Sequence, residues 1–137
     1  MKSTLNAGLT ARRSITIDQP RTIDFLGEQL RVYATPELVR DFEIVCREFL
    51  LAYCDAGEDS VGTGISISHA GATLLGMQVE ISISVAEVNG RLVKFQLLAH
   101  DGVEEISRGE HSRFVVDVEK LRAKVAVKAQ ATQAKPA

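Results

Sequence analysis

Three side chains in this sequence have types and spacing that could do chemistry together: the Thr35 hydroxyl, the Glu43 carboxylate and the His69 imidazole. A carboxylate can activate water or accept an acyl group, and an imidazole can carry a proton. A hydroxyl can orient either one. Read jointly, they suggest acyl transfer or hydrolysis.

Each of the three also has an ordinary structural reading. His69 ends a strand-like run, Val61 to Gly71, where Ser68, Ala70 and Gly71 leave its ring accessible to a ligand or another backbone. The same placement suits a surface or interface histidine. Glu43 falls, on a helical wheel, between apolar Val39 and Leu50 on one side and Arg47 on the other. That rim position fits a partly desolvated carboxylate facing a cleft, or an i,i+4 ion pair with Arg47 worth about 0.3–0.5 kcal/mol. Thr35 precedes Pro36, so helix capping alone would account for its hydroxyl. A helix N-terminus can also present amide donors to a developing oxyanion, although Pro36 removes one of them. His100 beside Asp101-Gly102 reads as a turn residue, and His111 as a residue on the outer face of the last strand.

The element that positions Thr35 and Glu43 is a long amphipathic helix of about 19 residues, starting with Thr35 as N-cap and ending between Cys54 and Gly57. Leu38, Phe42, Val45, Phe49 and Tyr53 recur at three- and four-residue steps, with Val39, Cys46 and Leu50 beside them. Arg40, Asp41, Arg47 and Glu48 take the polar side. Strands follow: Val61 to Ala70, Met77 to Val88, Leu92 to His100, and Glu104 to Val118. Asn89-Gly90 and Asp101-Gly102 mark the turns. Ser14 to Asp18 forms a short strand before the helix. This order predicts an α+β layer pair, an antiparallel sheet wrapped around one long central helix. An alternating sheet that one helix cannot cover, with an edge strand, favours dimerisation. The domain should span 14–122, with a flexible N-terminal segment over 1–13 and a partly helical or disordered tail over 123–137.

Composition excludes several classes. With 137 residues, 45% hydrophobic and 25% charged, the chain has the make-up of one globular domain. Sixteen basic against 18 acidic residues, a net charge of -2, argue against nucleic acid or an anionic membrane as partner. No apolar run approaches the roughly 20 residues needed to cross a bilayer, and Met1 to Arg13 lacks a signal-peptide pattern. A cytoplasmic location is expected. Cys46 and Cys54 read as reduced core thiols, and no metal-ligand spacing appears, so no metal is expected.

Several stretches then resemble the fluoroacetyl-coenzyme A thioesterase family, a branch of the hotdog-fold thioesterases. They are Val32-Tyr33-Ala34-Thr35, Glu43, Val61-Gly62-Thr63 leading to Ser68-His69, Ala99-His100-Asp101-Gly102-Val103, Arg113, and Val118-Glu119-Lys120. The resemblance covers roughly Thr22 to Lys124. It implies a homodimer, or a higher oligomer, of hotdog domains with acyl-CoA clefts between subunits. It also implies a catalytic set of Thr35, Glu43 and His69, with Gly62 lining the substrate site and Arg113 near the acyl end. No cofactor is implied beyond the coenzyme A of the substrate. Two departures stand out: Gln29 and Leu30 occupy the place of an aromatic lid residue, and Pro36 replaces a glycine after the threonine. They point away from a fluorinated substrate and toward a short or small acyl-CoA in general. The expected function is acyl-CoA thioester hydrolysis. The rivals are a hotdog dehydratase or isomerase and a non-catalytic acyl-CoA-binding module.

Overall fold

The computed structural model describes residues 1–133. Its elements are β1 (Thr10–Thr16), α1 (Thr35–Leu51), β2 (Glu58–Ile67), β3 (Gln78–Asn89), β4 (Leu92–His100), β5 (Glu105–Asp117) and α2 (Val118–Gln133), with two short 3-10 turns between β1 and α1. The five strands form one antiparallel sheet in the order β1-β3-β4-β5-β2. This is the α+β arrangement that the order of periodicities predicts.

The core follows from two interlocking patterns. On α1, Leu38, Phe42, Val45, Cys46 and Leu50 are buried, a stripe of three- and four-residue steps. On the sheet, alternate residues meet that stripe: Val79, Ile81, Ile83 and Val85 of β3, Val93, Phe95 and Leu97 of β4, and Val115 of β5, with Ile106 also buried where the β4–β5 register shifts. Phe42 and Phe95 are fully enclosed, and Phe49 meets Phe95 edge-on at 6.0 Å. Burying each such side chain contributes about 1.5–3 kcal/mol, so this seam fixes where α1 lies on the sheet.

Several local details differ from the sequence reading. Ala34, not Thr35, is the N-cap of α1. Its extended backbone and its carbonyl, which accepts from Leu38 N–H at 3.0 Å, make Thr35 the first helical residue. The helix stops at Leu51, where Tyr53 N–H folds back to the Leu50 carbonyl, so Cys54 lies beyond it. β2 starts at Glu58 and ends at Ile67, leaving His69 in the following loop. That loop stays tied to β5, through Ser68 N–H to the Arg108 carbonyl and Ala70 N–H to the Ile106 carbonyl. The β3–β4 turn is Gly90-Arg91, because Asn89 still pairs with Leu92; Gly90 at φ 60° takes the left-handed first turn position. Asp41, expected on the polar side of α1, is buried at 3% exposure because it has two partners described below.

At the N-terminus, β1 begins at Thr10, four residues before the expected start. Ahead of it Leu5 is buried, Lys2 N–H bonds the Tyr53 carbonyl and Gly8 N–H bonds the Val85 carbonyl. At the other end, α2 is helical to Gln133 with no buried residue. The rest of the expected tail, 134–137, lies outside the described residues. Among the described residues no helix is long and apolar enough to cross a membrane.

Candidate active site

The expected site residues fall into two groups within the chain. The first is at the N-terminus of α1. The Thr35 hydroxyl lies 2.7 Å from His69 Nδ1. Because Ala34 holds the cap, nothing in the helix competes for that hydroxyl, and capping does not account for it. Burial lowers the His69 pKa below its ordinary value near 6.5, so the ring is neutral at neutral pH and can take up a proton. His69 Nε2 is buried and has no hydrogen-bond partner among the described residues. An orphaned buried polar atom costs about 1–3 kcal/mol, so this nitrogen lies where a ligand or second chain could satisfy it. The pair opens onto a shallow cleft of about 360 Å³ whose walls include Ile23, Phe25, Tyr33 and Gly71.

Behind His69, the Tyr33 ring stands edge-on at 6.1 Å. Tyr33 is itself locked: its hydroxyl donates to Asp41 Oδ2 at 2.5 Å, and burial together with that bond raises its pKa. Arg21 completes the knot with a two-pronged contact to Asp41, Nε at 2.9 Å and Nη2 at 3.1 Å. A third bond ties Arg21 to Asp18 at 2.8 Å. The segment before α1 is thereby fastened to the helix one and a half turns in. These partners explain why Asp41 is inside. Sequence reading missed this network, because nothing in the local pattern joins Arg21 to Asp41.

The second group surrounds Glu43. Its Oε1 lies 3.7 Å from Arg113 Nη1 and 3.9 Å from His111 Nε2. The i,i+4 pair with Arg47 is not formed, since Arg47 instead contacts Asp59 at 2.7 Å. Gly62 faces the carboxylate across β2, and a Cβ there would collide with Glu43 Oε1. Arg113 is buried at 5% exposure, with Nε donating to Ser60 Oγ and Nη2 to the Ser60 carbonyl. His111, expected on the outer face, points inward at 3% exposure. The sequence signal was available: residues two apart on a strand share a face, and Arg113 was already assigned to the site.

Thr35 and Glu43 are eight residues apart on one helix, which separates them by about 12 Å along its axis. The structure therefore brings Thr35 to His69, and Glu43 to Gly62 and Arg113, but records no contact between the two groups within one chain. The cysteines are not part of either. Burial pushes the Cys46 thiol up to about 12 and also raises Cys54, leaving both as poor nucleophiles. Among the described residues no cluster of histidine, cysteine and carboxylate side chains is placed to hold a metal ion.

The fold gives the class first. A thioesterase-superfamily protein of Thermus thermophilus superposes with a TM-score of 0.86, over 97% of this chain and 99% of its own, at 21% identity. At that identity the likeness is one of fold, the hotdog fold. A crystal structure of a point variant of the fluoroacetyl-CoA-specific thioesterase gives a TM-score of 0.85 at 31% identity, covering 93% of this chain and 99% of that one. In sequence, the fluoroacetyl-CoA thioesterase of Streptantibioticus cattleyicolor is 39% identical over 112 residues, 82% of this chain and 80% of the relative. Residues 17–119 match the family described as fluoroacetyl-CoA-specific thioesterase. The chain belongs to that family, and with it to the thioester hydrolases.

Proposed function

We propose that this chain hydrolyses a short or small acyl-CoA to the free acid and CoA, as a homodimer whose clefts lie between subunits. The observation that carries the chemistry is the 2.7 Å contact between the Thr35 hydroxyl and a neutral His69. Two features favour a shared cleft. Thr35, which holds His69, and Glu43 are separated along one helix, and His69 Nε2 is buried without a partner among the described residues. A second subunit bringing its Glu43 toward the first subunit's Thr35 and His69 would join them.

In the reaction the acyl–sulfur bond breaks, the carbonyl carbon gains a hydroxyl from water, and the thiolate needs a proton. Glu43 activates that water or accepts the acyl group transiently, Thr35 orients the imidazole, and the neutral His69 takes up the proton that the water gives up and delivers it to sulfur. No group beyond the CoA of the substrate is called on. Gln29 and Leu30, at the place of the family's aromatic lid, favour a general short acyl group over a fluorinated one. The balanced charge and the absence of an apolar crossing helix among the described residues fit a cytoplasmic enzyme without nucleic-acid or membrane partners.

Incubating the purified protein with acetyl-, fluoroacetyl-, propionyl- and butyryl-CoA, and reading free thiol, tests the reaction. Thiol release with at least one of these supports it. An altered acyl chain with CoA still attached would indicate a dehydratase or isomerase, and binding without change would indicate a carrier module. Light scattering at micromolar concentration tests the assembly, and a monomer there would remove the shared cleft.

A further inference from the structure

The inner face of β5 carries a buried histidine for which the proposed reaction has no direct use. His111 Nδ1 lies 2.7 Å from the Gly64 carbonyl, which can only accept, so Nδ1 bears the proton. The contact lies beside a bulge, where the β2–β5 register shifts between Gly62 and Gly64. His111 Nε2 is then a bare acceptor, and the Arg113 guanidinium donates to it from Nη1 at 3.2 Å. Burial, the largest influence on this ring, lowers its pKa and keeps it neutral. A protonated ring would instead aim an N–H at a guanidinium.

Arg113 is consequently held from three directions: Nε by Ser60 Oγ at 2.8 Å, Nη2 by the Ser60 carbonyl at 2.9 Å, and Nη1 by His111. The hydrogen left on Nη1 lies on the side of Glu43, whose Oε1 is 3.7 Å away. Glu43 is half-exposed and accepts no shorter hydrogen bond among the described residues, so this cationic corner is what sets its direction.

We infer that His111 is a positioning residue for Glu43: by anchoring the Arg113 guanidinium it fixes the carboxylate over Gly62. Arg113 then acts through Glu43 rather than by contacting the acyl group. The inference rests on the proposed role of Glu43 in hydrolysis, and it adds a residue that the Thr35, Glu43 and His69 set leaves out.

Two substitutions separate the two contacts of His111. His111→Gln can place an amide oxygen near the Nε2 position and still accept from Arg113. His111→Asn can reach the Gly64 carbonyl but not Arg113. Steady-state hydrolysis and melting temperature are measured for both, and for His111→Asn combined with Glu43→Gln. His111→Asn should lower kcat by about 10- to 100-fold, the size expected for a catalytic group displaced by roughly 1 Å, with KM within about twofold. His111→Gln should recover most of that loss at a similar melting temperature. In the Glu43→Gln background, His111→Asn should cost nothing further. Equal kcat losses for Asn and Gln that track their melting temperatures would overturn the inference, as would an unchanged kcat for His111→Asn. Crystal structures of wild type and His111→Asn decide the point without turnover: the Glu43 carboxylate should sit over Gly62 only in wild type. A wild type that releases no thiol would therefore end the hydrolysis reading while the carboxylate's position still decides this one.

Discussion

The Thr35 hydroxyl, on the first residue of α1, faces His69 Nδ1 at 2.7 Å. The cap belongs to Ala34, so the contact is free to serve the reaction. Thr35→Ala should lower kcat by about 10²-fold by releasing the imidazole from its alignment. It should change stability by less than about 0.5 kcal/mol, well under the ~1 kcal/mol typical of a lost cap. Thr35→Ser should keep turnover within about tenfold. Urea denaturation alongside thiol-release kinetics checks both halves, and a Thr35→Ala variant with wild-type kcat would detach the hydroxyl from the mechanism.

Gly62 and Glu43 make a second such pair, because a methyl group at Gly62 would occupy the space of Glu43 Oε1. The backbone of Gly62 is not left-handed, so alanine is tolerated there without backbone strain. What gives way is the end of a flexible side chain. Gly62→Ala should therefore leave stability within about 1 kcal/mol while kcat falls by about 10²-fold. Retained turnover in this variant would show that the carboxylate works from some other orientation.

The Arg21, Asp41 and Tyr33 knot is a stability device that stands beside His69. Among the described residues, removing Arg21 leaves a buried carboxylate with only the Tyr33 hydroxyl to compensate it. Arg21→Ala should destabilise the fold by about 3 kcal/mol, at the low end for breaking a buried ion pair since Arg21 is itself partly exposed. Tyr33→Phe should lose about 1.5 kcal/mol, the lower range for a hydrogen bond to a charged group. The phenyl ring would still back His69, so its kcat should change little. Chemical denaturation and kinetics measure the two separately.

Burial lowers the pKa of both His69 and His111 below 6.5 in the folded chain. The unfolded chain therefore takes up these protons first as pH falls. Their contribution to stability is intact above about 6.5 and is lost as pH drops toward their folded values. The urea midpoint should fall between pH 7 and pH 5, and it should fall less in His111→Gln. The acid limb of kcat/KM should turn below pH 6.5, because the proposed reaction starts from a neutral His69. An inflection clearly above 6.5 would contradict the desolvated environment assigned to that ring.

The fold was legible because its two periodicities are clean. Leu38, Phe42, Val45 and Leu50 announce one helix, and Val79, Ile81, Ile83 and Val85 announce a strand against it. The position of Glu43 at the helix rim was legible for the same reason. The partners of these side chains were less so. Asp41 looks solvent-facing until Arg21, twenty residues earlier, is brought to it, and His111 looks external until the β2–β5 register is known. Local pattern encodes which face a residue occupies. It does not encode which distant group waits there, and that is where the partners of Asp41, His111 and Thr35 came from.

The most direct test of the account is thiol release from short acyl-CoAs by wild type and His69→Ala, with calorimetric acyl-CoA binding measured on both. His69 follows the end of β2 and carries little of the core, so the variant should fold. Turnover should fall by about 10²- to 10⁴-fold, the span for a lost general acid-base, while binding changes far less. A well-folded His69→Ala protein that hydrolyses acyl-CoA at the wild-type rate would contradict the proposed mechanism at its centre.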